Sequence, residues 1–154
     1  MIHSSKDAIF MPAQIKLSAA LSVRNQDDPS QVLLVRRPDG DAEFPGMWGL
    51  PAASCRAGES TQDAASRIGI QKLGGAVRLG RRLATGTQKR DTYVIQMSLY
   101  EAWLEDTAPT LPDSHEGTEN VTLYTAWRWA DPSELTESAD QGSLCSQLLL
   151  ASLP

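Results

Sequence analysis

Residues 48–75 read WGLPAASCRAGESTQDAASRIGIQKLGG, and the order of stiff, turning and periodic residues in this stretch decides the architecture. Trp48-Gly49-Leu50-Pro51 is an extended lead-in, since a proline biases the residue before it away from the helical region. Gly58-Glu59-Ser60-Thr61 follows as a turn, and Ser60 or Thr61 offers a hydroxyl for the first free amides of a helix. From Gln62 to Leu73 the pattern is helical, with Ala65, Gly69 and Leu73 recurring at four-residue spacing as the buried seam. Gly69 costs ~1 kcal/mol against alanine inside a helix, which is explicable if another backbone comes close there. Gly74-Gly75 stops the helix with residues that tolerate positive φ.

Working outward, Ala13 to Val23 reads as a strand and Asn25 to Ser30 as a polar turn. Val32-Leu33-Leu34-Val35 is a short buried strand, so these two runs predict a hairpin. Pro38-Asp39-Gly40-Asp41 then breaks the chain. Beyond the helix, Val77 to Ala84 and Thr92 to Trp103 are further strands, and Leu104 to Asn120 is a polar loop. Val121, Leu123, Thr125, Trp127 and Trp129 alternate along a final strand, whose tryptophan face belongs to a core or a subunit contact. Asp131-Pro132-Ser133-Glu134-Leu135 opens a short helix with proline in its first turn. Gly142 to Ala151 is a last helix, with Leu144, Leu148 and Ala151 on one face. The sum is an α/β (α+β) chain in which helices cover a mixed β-sheet, read as a single domain over residues 1–154.

The loop and helix resemble the Nudix box, G-x5-E-x7-R-E-U-x-E-E-x-G-U, with its usual W-x-L-P lead-in. Glu59 falls on the first glutamate, Arg67 on the arginine and Gly74 on the late glycine. Gly58-Glu59-Ser60, Ala64-Ala65 and the order of flanking strands also match, so the resemblance spans nearly the whole chain. It implies a Nudix-like α/β/α sandwich, Mg2+ or Mn2+ as cofactor and hydrolysis of a nucleoside diphosphate linked to another moiety.

The box is degenerate. Ala53 stands at the opening glycine, and Ile68, Gln71 and Lys72 stand where the family has its metal-binding glutamates. Positions three and four residues apart share one helix face, so the family's carboxylates would meet there around a cation. Here that face carries an aliphatic group, an amide and an ammonium. Lys72 has two readings: a point charge for a diphosphate, or, as the favoured one, a solvated helix residue. Arg67 is expected to brace the loop against the helix, with Glu59 as partner. Glu59 alone makes at best a weak metal site.

Other candidates lie outside the box. His115, Glu116 and Glu119 sit in a polar loop that offers a base or extra ligand, as an alternative to simple solvation. Arg78, Arg81, Arg82, Lys89 and Arg90 form a basic run that reads first as a solvated strand and turn, or else as a phosphate-binding or RNA-binding stretch, with Arg82 and Arg90 as the candidates for substrate phosphates. Arg81 and Arg82, adjacent on a strand, are expected on opposite faces. Trp48 borders the box and is a candidate stacking surface, though tryptophans more often fill a core.

The whole composition narrows the function classes. Net charge is −5, with 41% apolar and 21% charged residues in 154. That argues against bulk nucleic-acid binding, which favours basic domains. No apolar run approaches the ~18 residues of a membrane span. The first residues lack a signal-peptide pattern. Cys55 and Cys145 make no zinc spacing or disulfide framework and read as reduced thiols of a cytoplasmic protein. The expected partner is a nucleotide-type small molecule, with a homodimer as a possible assembly. Three functional readings follow: a Nudix-type hydrolase, which leads; a catalytically inactive Nudix-fold module that binds a nucleotide or a protein; and a dimeric structural protein using the tryptophan strand.

Overall fold

A computed structural model describes residues 14–113 and 122–154. Seven strands form two sheets. β1 (Gln14–Val23), β4 (Ala52–Ser54), β5 (Val77–Lys89) and β6 (Tyr93–Leu104) lie in the order β4-β1-β6-β5, while β2 (Val32–Arg36), β3 (Trp48–Gly49) and β7 (Ala126–Ala130) lie in the order β3-β2-β7. β1 runs parallel to β6 from Gln14 against Tyr93 to Val23 against Ala102, and antiparallel to β4. The first sheet is therefore mixed, as the sequence predicted, and the second is antiparallel.

Helix α1 (Thr61–Lys72) packs on one side of the strands. A 3-10 turn (Pro132–Leu135), α2 (Thr136–Asp140) and α3 (Leu144–Ser152) follow β7. Alternation along the central strands divides the core between these coverings. Ala19, Leu21, Val23, Leu33 and Val35 turn toward Ala64, Ala65 and Ile68 of α1. Ala20, Val32 and Leu34 turn toward Leu135, Leu144 and Leu149. Buried on both faces, β2 reads as an unbroken apolar run from Val32 to Val35, while the end of β1 is broken only by the small Ser22. The result is an α/β/α sandwich.

The start of the chain differs from the predicted hairpin. β1 and β2 join only through a bridge between Arg24 and Val32, and then part into separate sheets. A polar turn marks a reversal but does not say which strand becomes the neighbour. β7 is also shorter than the alternation suggested. Its partner β2 offers five paired positions, from Arg36 against Ala126 to Val32 against Ala130, so residues 122–125 cross the sheet end as irregular chain. Val121 lies outside the described residues. Trp127 and Trp129 do share a face: their rings meet edge to face at 6.1 Å and pack on the α1-side core. The last helix buries Leu144, Cys145, Ser146 and Leu149, whereas Ala151 is exposed.

α1 begins as its residues dictate. Ser60 is the N-cap and its hydroxyl accepts from the Asp63 amide at 3.0 Å. Leu73 caps the other end and Gly74 turns out at φ +73°. The buried seam is wider than expected, with Ala64, Ile68 and Lys72 joining Ala65, Gly69 and Leu73. Gly69 is explained by the close approach its presence suggested. A Cβ there would lie 2.6 Å from the Gly75 carbonyl oxygen and 2.9 Å from a Val77 methyl. Gly69→Ala should therefore cost about 1–3 kcal/mol through overpacking, reversing the gain expected from helix propensity; urea unfolding of the two proteins measures the difference.

Candidate functional site

Arg67 ties the loop before α1 to the helix. Its Nε donates to Glu59 Oε2 at 3.0 Å and its Nη2 to Glu59 Oε1 at 2.7 Å, forming a bidentate pair. Nη2 also donates to the Ser54 carbonyl at 2.9 Å, and Nη1 to Gln71 Oε1 at 2.8 Å. Glu59 Oε1 accepts a further bond from the Arg56 amide. The Arg67 fork, with the backbone bond, holds the Glu59 carboxyl down at about 2 against the opposing pull of desolvation. Gln71, at a position of the family's acidic pair, is thus part of the brace.

Next along the face, Ile68 is fully buried in the core. Lys72 is not the solvated residue that seemed the simpler reading. It is 5% exposed, and its Nζ donates to the Ala52 carbonyl at 2.5 Å. Its helix position turns it inward toward β4, which helical spacing alone did not reveal. Nζ also lies 5.2 Å from the centre of the Tyr124 ring. The Tyr124 hydroxyl meets the same residue of β4, accepting from the Ala52 amide at 2.9 Å and donating to its carbonyl at 3.2 Å. Burial pushes the Tyr124 hydroxyl up to about 12. Burial first, then the nearby charges of Arg37 and Arg67, bring the Lys72 amine down to about 7, with Asp41 opposing. The carbonyl and the aromatic face both favour its charged form, so the ammonium is held by few but well-aimed contacts.

Lys72 forms part of a cleft with a cavity volume of about 250 Å³. Arg37, Phe44, Arg67, Arg90 and the Ser143–Cys145 turn also line it. Most of the lining cations are already answered by carboxylates. Arg67 pairs with Glu59, Arg37 Nε with Asp41 Oδ2 at 3.0 Å, and Arg90 Nη1 with Glu43. Desolvation raises the Asp41 carboxyl, but amide bonds from Phe44 and Glu43 together with Arg37 leave it below its ordinary value. The Phe44 ring lies 5.7 Å from the Arg37 guanidinium and 5.8 Å from that of Arg90.

Of the residues singled out in the sequence, Arg67, Lys72 and Arg90 meet at this cleft, and Glu59 adjoins it through Arg67. Trp48 and Arg82 are not among its lining residues. Trp48 packs on the α3-side core with the Arg128 guanidinium 4.5 Å from its ring centre. Arg82 is exposed on β5, and so is Arg81. Two register shifts between Leu79 and Ala84 interrupt the period there. His115, Glu116 and Glu119 lie outside the described residues. Sequence reasoning missed Arg37 and Phe44, which line the cleft, and Tyr124, which adjoins it through Lys72; no local pattern marked them.

Among the described residues the donor set does not fit Mg2+ or Mn2+. Such ions want several free oxygen ligands, yet both Glu59 oxygens are engaged and Lys72 brings a positive charge to the same face. Among the described residues no three His, Cys, Asp or Glu side chains converge. Cys55 is unpaired, and burial with the Glu59 charge raises its thiol against the pull of Arg67, which keeps it protonated at neutral pH.

The model of the NUDIX domain matches residues 16–147. The chain belongs to the Nudix family. Solved structures agree on the fold. A MutT protein from Methanosarcina mazei Go1 superimposes with a TM-score of 0.68 at 13% identity, covering 93% of this Nudix chain and 96% of that one. A C. elegans Ap4A hydrolase in a binary complex gives 0.63 at 19%, over 90% and 99% of the two chains. The NUDIX domain of Shewanella oneidensis NrtR, complexed with ADP ribose, gives 0.57 at 20%, over 99% and 95%. No curated protein matches the sequence. Among the described residues no helix is long and apolar enough to cross a membrane.

Two substitutions probe this Nudix site. Glu59→Gln should cost about 1–3 kcal/mol, the usual loss of a hydrogen bond to a charged partner. Because the Glu59 carboxyl is depressed from 4.5 to about 2, its stabilisation is present above pH 4.5 and disappears as pH falls through about 2. Acid unfolding followed by circular dichroism should show that part of the pH dependence only in the wild type. The Lys72 amine has the opposite sense: lowered from 10.5 to about 7, it holds fewer protons folded than unfolded between those values. Wild-type stability should rise with pH from about 7 toward 9, and Lys72→Met should abolish the rise, as read from melting temperatures across that range.

Proposed function

We propose that this Nudix-fold chain binds a nucleoside diphosphate linked to another moiety and does not carry out metal-assisted hydrolysis of it. The observation that carries the reading is the fate of the three family metal positions. Ile68 is core, Gln71 holds Arg67, and Lys72 presents an ammonium where a carboxylate would be needed. This favours the inactive module over the hydrolase that the full-length resemblance puts first. The size of the cleft and its arginines suit the polar, anionic part of a nucleotide. The ADP ribose complex of the NrtR domain supports the ligand class.

Hydrolysis would have to draw its metal ligands or base from His115, Glu116 and Glu119, since Glu59 is committed to Arg67. The test is a panel of ADP-ribose, dinucleoside polyphosphates, nucleotide sugars and nucleoside triphosphates with Mg2+ and Mn2+. Calorimetry is expected to show binding of at least one of them while turnover stays at background. Turnover above background that disappears in Glu116→Gln or Glu119→Gln would restore the hydrolase.

A further inference from the structure

Four cationic side chains line the cleft, and their pairing separates one from the rest. Arg37, Arg67 and Arg90 each have a carboxylate partner within 4.0 Å, whereas Lys72 has none among the described residues. Its only hydrogen bond there goes to the neutral Ala52 carbonyl. A buried charge without an opposite charge is costly, and a lysine is rarely left so deep unless something compensates it. Replacing it by an apolar residue would cost little packing. The Ala52 carbonyl would keep its bond from Tyr124, and Ile68 one turn earlier is already apolar. The ammonium therefore suits an anion that enters the cleft from outside.

We propose, resting on the reading above, that Lys72 is the receptor for the ligand's diphosphate and that this binding is independent of divalent metal. The lysine occupies the ground that a metal ion would need, and it meets phosphate oxygens directly as a point charge. Arg37 and Arg90 stand on the same cleft wall, each with remaining N–H donors beyond its carboxylate. An arriving diphosphate adds its bonds to theirs without first breaking an ion pair. The groups that face or surround Lys72 come from several elements: Arg67 on α1, Arg37 and Asp41 after β2, the Ala52 carbonyl on β4 and Tyr124 before β7. Because the Lys72 amine is lowered to about 7, an anion bound at pH 8 should draw a proton onto it.

Inorganic pyrophosphate titrated by calorimetry in excess EDTA tests the proposal, with ADP-ribose titrated in parallel. Wild type should bind pyrophosphate in EDTA with no divalent metal present. Lys72→Met should weaken it at least about tenfold, while Lys72→Arg keeps part of it. Titrating the wild type at pH 8 with ADP-ribose, whose diphosphate carries no titrating proton near that pH, in buffers of different ionisation enthalpy should show net proton uptake, a readout that needs no variant. The proposal falls if pyrophosphate binds only with Mg2+ or Mn2+, if Lys72→Met binds as well as wild type, or if ADP-ribose binding at pH 8 takes up no proton. It also falls, with the functional reading intact, if ADP-ribose or another nucleotide of the panel binds while pyrophosphate does not. Failure of every nucleotide to bind, with or without metal, overturns the functional reading itself.

Discussion

The Arg67 guanidinium joins three parts of the chain that would otherwise be independent. It grips the Glu59 carboxylate with two bonds, reaches the carbonyl of Ser54 at the end of β4, and turns one more N–H to Gln71 on its own helix. The loop 55–60 is thereby held between a strand and a helix, and α1 is set at a fixed height against β4. That height carries Lys72 to the Ala52 carbonyl and Ile68 into the core. Arginine suits this task because its planar fork meets a carboxylate with both oxygens and still has donors for a carbonyl and an amide.

The same brace changes what the site can do. A carboxylate that accepts a bidentate guanidinium and a backbone amide has little left for a cation. With Gln71 engaged as well, the helix face keeps only Lys72 as a group able to meet a ligand's charge. In the proposed reading the positive charge for an anionic ligand comes from the chain's own side chains. The basic character of the cleft is strongly local. Three of its cations are already balanced by carboxylates, in a chain whose net charge is −5.

Much of the fold was legible because it rests on short-range rules. Ser60 caps because a hydroxyl can reach an amide three residues on, and Gly74 ends the helix because it accepts φ +73°. Gly69 marked a close approach, since nothing else explains glycine in a helix interior. The alternation of Trp127 and Trp129 correctly placed them on one face. Of the site, Arg67 with Glu59 was legible through the spacing of the box. Arg37 and Phe44, both on the segment after β2, and Tyr124, which adjoins the cleft through Lys72, were not, because only tertiary packing brings these segments to α1 and Arg90.

What the sequence determined by itself was the family, the α/β class, the ends of α1 and the substitution of the metal-binding positions, all of which follow from residue identity at fixed spacing. Tertiary structure decided which strands became neighbours, and so split the expected hairpin between two sheets. It decided that β5 carries its irregularity at Arg81 and Arg82, leaving both outside. Above all it decided that Lys72 is buried. A helical period says which residues share a face, but only the partner packed on that face decides whether it meets water or a carbonyl. Here the partner is β4, and it turned a residue that reads as solvated into the one lining cation without a carboxylate among the described residues.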